Sequence, residues 1–349
     1  MISIDTPFRY ASFQPGLYFQ RVNTPAYPLF REPQYVLSLA TKIVHVAREF
    51  ALDVVHAHYA IPHATAAYLA RQILHTTCEN SPATKVVTTL HGTDITLVGS
   101  DRSYSETVAF SIEKSDAVTA VSESLREDTY RTLHVKRPIT VIPNFLDCDR
   151  YRRTPDPELR KRLCGTDEKL VLHISNFRPV KRAEAVVKIF AKISARVKAR
   201  LLLVGDGPDL EDAVDLARAL GVTDRVEALG EQDQVIPLLS AADLFLLPSK
   251  QESFGLAALE AMACEVPVVA SDVGGLHEVI EHERSGFLHA VEDLEGMAES
   301  GIRVLTDPAL HAAIASASRK TATGKFCADR VVPQYEAVYE SLSAAVPCV

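Results

Sequence analysis

Two successive α/β domains, each wound around a parallel sheet, are the fold class this sequence predicts, and three observations predict it. Short apolar runs alternate with longer helical patterns through most of the chain, as βαβ units require. The alternation breaks once, in a polar stretch near the middle, and then begins afresh. The 349 residues exceed one ordinary core and suffice for two.

In the first half, residues 52–57, 86–90, 117–122 and 139–143 read as strands, and 61–74 and 104–113 carry helical periodicity. Residues 147–169 are polar and charged and hold Pro155 and Pro157, which places the domain linker there. The second half has strand patterns at 170–175, 200–204, 226–230, 244–248, 266–271 and 286–289. Its helical patterns fall at 183–195, 210–220, 235–241 and 255–262, and a last one covers 331–344. In doubly wound sheets ligands sit beyond the carboxyl ends of the strands, so function is to be sought in the loops that follow them.

Composition narrows the function. The formal net charge of −8 argues against a broad nucleic-acid footprint, which needs clustered Lys and Arg. The strongest basic spot, Arg178, Lys181 and Arg182, is too small for a duplex but suits one diphosphate. The six cysteines, Cys78, Cys148, Cys164, Cys264, Cys327 and Cys348, form no CxxC pair. They read as reduced thiols, with neither a zinc site nor a disulfide framework indicated. The start lacks a basic n-region with an apolar h-region, and no stretch reaches the roughly 18 apolar residues of a membrane span. A soluble, cytoplasmic protein is expected, and a homodimer is compatible with the sequence.

The most informative segment is Pro248-Ser-Lys-Gln-Glu-Ser-Phe-Gly-Leu-Ala-Ala-Leu-Glu260. A strand ends at Pro248, a polar loop follows, and Gly255 lets the backbone approach a ligand before a helix begins. The amides of Phe254, Gly255 and Leu256 would then form an anion site for a diphosphate. Glu252 precedes the helix and Glu260 lies within it. Each carboxylate can accept two hydroxyl bonds side by side, so one suits a sugar and the other a ribose. A helix cap and a solvated side chain are the ordinary roles for such glutamates. Glu260, however, sits among Leu256, Ala257, Ala258, Leu259, Ala261, Met262 and Ala263, so it is either buried at a cost or recruited by a ligand.

Ser175-Asn-Phe-Arg-Pro-Val-Lys-Arg182 follows another strand, and there Arg178 and Lys181 would neutralise a diphosphate whose charge grows as its glycosidic bond breaks. Val204-Gly-Asp-Gly-Pro208 is a tight turn around Gly205, a weak signal alone. In the first half, Thr88-Thr-Leu-His-Gly-Thr-Asp94 bunches polar groups at a strand end, where His91 and Asp94 could bind hydroxyls or a developing charge. His56, His58, Tyr59 and His63 form a second polar cluster without the spacing of a zinc site. No GxSxG elbow supports a hydrolase.

At these motifs the sequence resembles the retaining glycosyltransferases of family 4 (GT4), which have the GT-B fold of two Rossmann-like domains facing a cleft. The resemblance rests on Glu252 and Glu260 as the family's E-x7-E motif, on Arg178 and Lys181 as its basic pair, and on 204–208. A narrower likeness, carried by 56–63, 88–96, 118–122, 174–178 and 252–262, is to the branch that uses UDP-N-acetylglucosamine (UDP-GlcNAc) as donor and L-malate as acceptor in bacillithiol biosynthesis. It implies retention through front-side attack, with the departing diphosphate as base and no protein nucleophile. Glu252 would hold the donor sugar, Glu260 the ribose, Arg178 with Lys181 the diphosphate, and His91 the oxocarbenium-like sugar. Gly205, Phe254, Gly255 and Leu256 would complete the donor site, and Tyr59, Thr89, Ser122 and Arg178 would meet the acceptor. No cofactor or metal is implied, since UDP-GlcNAc is a substrate. Residues 1–150 would form the acceptor-side domain, 165–327 the nucleotide-sugar domain, and 328–349 a helix packing back on the first. The family's opening strand, glycine-rich loop and helix have no visible counterpart, so the chain is expected to start near the second strand. A GT4 transferase with another acceptor, and a truncated nucleotide-sugar-binding protein without turnover, are the alternatives.

Overall fold

The computed structural model describes residues 1–6, 16–24, 34–77, 84–97 and 99–343; Cys78, Ala344 and Cys348 lie outside them. The chain divides into two compact units, Met1–Ile142 together with Pro333–Val349, and Pro143–Val332.

In the first unit, β1 (Ile2–Ser3) pairs in parallel with β2 (Gln20–Arg21), and α1 (Tyr35–Phe50) follows. Its main sheet is β3 (Val54–His58), β4 (Lys85–Leu90), β5 (Ala117–Ala120) and β6 (Ile139–Val141), all parallel and in sequence order. The crossovers contain α2 (Thr65–Thr77), α3 (Ser105–Lys114) and α4 (Glu123–Leu133). β4 is buried on both faces, so even its threonines must bond inside the fold: Thr88 to Ser115 at 2.8 Å and Thr89 to Thr119 at 2.6 Å.

The second unit opens with α5 (Pro157–Leu163), β7 (Lys169–Ile174), α6 (Ala183–Ser194), β8 (Ala199–Val204), α7 (Leu210–Ala219) and β9 (Val226–Gly230). It continues with α8 (Ile236–Ala241), β10 (Leu244–Leu247), α9 (Leu256–Ala263), β11 (Val268–Ser271), α10 (Leu276–Val279) and β12 (Phe287–His289). Then come α11 (Leu294–Thr306), α12 (Pro308–Lys325) and α13 (Ala328–Ser343), the last assigned to the first unit from Pro333 onward. The strands run parallel in the order β12-β11-β10-β7-β8-β9. Leu170 to Leu172, Leu201 to Leu203 and Leu244 to Leu246 are all 0% exposed, which is why these strands read as unbroken apolar runs. Each such side chain contributes about 1.5–3 kcal/mol by burial. The strand order reverses between β7 and β10, and there the crevice of a doubly wound sheet opens.

Two expectations need correction. Residues 147–169 are not a bare connector, because α5 occupies 157–163, with Asp156 capping it through Glu158 and Leu159 and Pro157 in its first turn. The proline taken as a linker signal is a helix starter, whose missing N–H is needed by no carbonyl. The cysteines are not all reduced: Cys148 and Cys327 form a disulfide across a sequence separation of 179. Their Cα atoms are 5.5 Å apart because Leu146 bridges Cys327, with Leu146 N–H donating to Phe326 and Ala328 N–H to Leu146. Cys164 and Cys264 are free and buried, and burial pushes the Cys264 thiol up to about 12. Among the described residues no helix is long and apolar enough to cross a membrane.

Denatured without reductant, the protein should take up iodoacetamide at Cys164 and Cys264 but not at Cys148 or Cys327, as read by peptide mass spectrometry. Alkylated Cys148 or Cys327 in unreduced protein would overturn the pairing.

Candidate active site

β7 and β10 are neighbours across the switch point, and the loops beyond them carry most of the predicted donor residues. His173 on β7 is 0% exposed; its Nδ1 lies 2.9 Å from the carbonyl of Leu246 on β10 and its Nε2 2.9 Å from Ser175 Oγ. Burial pushes its pKa down to about 4, and the positive charge of Lys181 adds to the effect. The neutral ring therefore donates from Nδ1 to the carbonyl and accepts the serine hydroxyl at Nε2. Ser175 Oγ accepts in turn from the N–H of Phe177, whose ring is buried under the basic loop.

Lys181 Nζ donates to Glu252 Oε1 at 2.6 Å, and the Ser249 hydroxyl donates to the same oxygen at 2.8 Å. Glu252 is 9% exposed, so this is a largely desolvated ion pair. The backbone stitches the same two loops together, Lys250 N–H donating to Val180 at 2.8 Å. Arg178 is exposed and, among the described residues, makes no side-chain hydrogen bond or ion pair. Arg182 does not belong with these cations. It bonds Glu292 at 3.0 Å and the carbonyls of Pro248 and Val291, which leaves its guanidinium little for a diphosphate.

Glycines bring the backbone in close. A Cβ on Gly205, at φ +117°, would stand 1.9 Å from the Ser175 carbonyl oxygen, and one on Gly207 1.9 Å from that of Asn176. The sequence reading missed Gly274, at φ +52°, where a Cβ would stand 1.9 Å from the Glu252 carbonyl oxygen. The signal was the Gly274-Gly275 pair, three residues past the end of β11.

Gly255, at φ +93°, precedes α9, and no side chain caps that helix. Its first-turn N–H groups make an anion-binding end. Leu256 is exposed, whereas Phe254 is 2% exposed with its ring edge-on to Phe326 at 5.5 Å, so Phe254 can serve only through its backbone. Glu260 is 6% exposed and accepts the Tyr151 hydroxyl at 2.9 Å, a partner the sequence did not foreshadow.

In the first unit, His58 Nδ1 lies 2.8 Å from His91 Nε2, and the Tyr59 ring is 4.9 Å from that of His91. Burial, with the His58 charge in support, pushes His91 down to about 4; burial, then His58 and His91, pushes His56 to about 3. Three residues expected to meet a ligand are buried and already bonded inside the fold. Thr89 is 0% exposed and its hydroxyl serves His56 at 2.7 Å and Thr119. Ser122, also 0% exposed, caps α4 by accepting from Leu125 N–H at 3.1 Å. Asp94, 2% exposed, accepts from the N–H groups of Ala60, Gly92 and His91 and so shapes the His91 loop. Among the described residues no group of three or more His, Cys, Asp or Glu is placed to hold a metal ion.

The profile described as Glycosyltransferase Family 4 matches residues 4–150, and that of Glycosyl transferases group 1 matches 156–321. The chain is 44% identical over 339 residues to the N-acetyl-alpha-D-glucosaminyl L-malate synthase of Bacillus anthracis, covering 97% of this chain and 87% of that one. The chain belongs to glycosyltransferase family 4. A D-inositol 3-phosphate glycosyltransferase of Rhodococcus erythropolis is 33% identical over 56% of the chain and 48% of its own length. Among solved structures, sucrose-phosphate synthase from Thermosynechococcus elongatus aligns at TM-score 0.78 and 24% identity over 96% of this chain and 86% of that one. Anabaena Alr3699/HepE in complex with UDP and glucose aligns at 0.75 and 24% identity over 93% and 85%. These likenesses give the fold, which is GT-B, and the family makes the chain a hexosyltransferase.

For this GT4 chain, Gly205→Ala should cost on the order of 2 kcal/mol or more in urea unfolding, because strain is joined by a clash with backbone. Gly221→Ala, at φ +69° with nothing within 4 Å, carries the strain alone. A loss at Gly205 no larger than at Gly221 would refute the close approach.

The histidines give a pH prediction. Folded values near 4 for His91 and His173 and near 3 for His56 lie below the unfolded 6.5. Between these limits the unfolded chain binds more protons, so stability falls as pH drops from 6.5 toward 4. His173→Gln should flatten that slope in urea titrations, and an unchanged slope would count against a neutral buried His173.

Proposed function

We propose that this chain moves N-acetylglucosamine from UDP-GlcNAc to L-malate with retention at the anomeric carbon, as the first step of bacillithiol biosynthesis. The observation that carries the donor reading is the partly buried Lys181–Glu252 pair beside exposed Arg178 and the uncapped N-terminus of α9. The acceptor reading is supported by 44% identity across 97% of the chain to a protein named for that synthesis.

In the proposed reaction the malate hydroxyl attacks the anomeric carbon from the face the diphosphate leaves. The bond to UDP breaks, and a departing phosphate oxygen takes the hydroxyl proton. Arg178, Lys181 and the α9 amides offset the growing charge. Lys181 has three donors, so its bond to Glu252 leaves others for phosphate. Glu252 is proposed to hold sugar hydroxyls, Glu260 the ribose diol, and Gly205 a close backbone approach. In the first unit Tyr59 is proposed for the acceptor, and His91, as a neutral hydrogen-bonding group, for the oxocarbenium-like sugar. The same proposal places the reaction in the cytoplasm.

Incubated with UDP-GlcNAc, the protein should release UDP in proportion to added L-malate and yield the α-linked product by NMR. Release that ignores malate but follows another acceptor would reassign the acceptor. UDP binding without any release would favour a binding protein.

A further inference from the structure

We infer that Tyr151 is a positioning residue for the nucleotide end of the donor: its hydroxyl fixes the carboxylate plane of Glu260 and thereby the grip on the ribose diol. The inference rests on the reading of Glu260 as the ribose carboxylate. Tyr151 and Glu260 are each 6% exposed, and the phenol donates to Oε1 at 2.9 Å from 109 residues away in sequence. The last torsion of a glutamate is broad, so an unrestrained carboxylate samples many planes. Only a narrow set of them presents both oxygens to two vicinal hydroxyls. A neutral donor on one oxygen narrows the torsion while leaving the carboxylate its charge.

Tyr151 lies on no helix or strand, yet its segment is fixed to the helix that carries Glu260. Arg319 on α12 donates to the carbonyls of Tyr151, of Cys148 at 2.9 Å, and of Ala263 at 2.7 Å. Ala263 ends α9, so one guanidinium ties the phenol's segment to that helix. The Tyr151 N–H donates to Asp147 at 2.8 Å, and the Cys148–Cys327 disulfide holds the same segment. Phe326, next to Cys327, packs on Phe254 of the donor loop. Leu259, Met262 and Ala263 around Glu260 are 0% exposed, so a tyrosine–glutamate pair costs desolvation that phenylalanine and leucine would avoid. A ribose-facing task accounts for keeping the polar pair.

Calorimetry with UDP and with 2′,3′-dideoxy-UDP tests this on the wild type, Tyr151→Phe and Glu260→Gln. Tyr151→Phe should raise the Kd for UDP by about three- to tenfold and leave that for the dideoxy nucleotide unchanged. KM for UDP-GlcNAc should rise in step while kcat at saturating donor stays within about twofold. A purely structural tyrosine would weaken both nucleotides alike, and that result overturns the inference. If Glu260→Gln selectively weakens UDP but Tyr151→Phe does not, the ribose reading stands and this inference falls. If Glu260→Gln weakens neither nucleotide selectively, the ribose reading itself falls and takes the inference with it.

Discussion

The reversal of strand order between β7 and β10 is the constraint around which the second unit is arranged. Crossovers leave these two strands in opposite directions, so the crevice beyond their carboxyl ends is walled by loops. Loops carry unpaired backbone groups, and a buried loop must settle each of them. His173 does this beneath the crevice, joining Leu246 of one strand to Ser175 beyond the other. Above it, Lys181 and Glu252 join the two loops by charge, and Lys250 and Val180 join them by backbone. Remove the imidazole or the ion pair, and the loops lose one of the contacts that hold them together.

On the proposed donor reading, that arrangement also sets the charge an incoming diphosphate would meet. Arg178 and Lys181 bring two positive charges and Glu252 subtracts one, while the α9 terminus adds about half a charge. The balance is positive but modest, and its parts differ in freedom. Lys181 is oriented before any ligand arrives, so little reorganisation remains for the step in which charge grows. Arg178, exposed, is the group that can follow the phosphate as it departs. Fixed and mobile cations would thus share the task, and the fixed one is held by the carboxylate that would bind the sugar.

Much of the second unit was legible because strands covered on both faces read as apolar runs; 226–230 is found where the pattern puts it, and the other strands within two residues. α5 was hidden by its own start signal, since an Asp-Pro pair looks like a linker until its cap is seen. The 18 residues of α12 bury Ile314, Ala315, Ser318 and Ala322, a stripe too small and too polar to stand out. The motif residues Glu252, Gly255 and Lys181 lie on contiguous loops, so local spacing reveals them. Tyr151, Arg319 and the Cys148–Cys327 pair act across long separations, and no local pattern encodes which partner the fold will supply.

The first unit shows the same rule from the opposite side. Thr89 and Asp94 drew notice because polar residues at a strand end suggest a ligand. A polar side chain on a doubly covered strand or under its exit loop must first satisfy itself inside the protein. Thr89 does so with His56 and Thr119, Asp94 with three backbone N–H groups, and nothing of either is left outward. His91 differs because it lies just past the last residue of β4, partly exposed, with a ring kept neutral by burial and by its neighbour His58. All three are polar residues at or near the end of β4. What separates them is whether the tertiary fold has already used the polar group, and that is decided by packing against elements that local sequence does not contain.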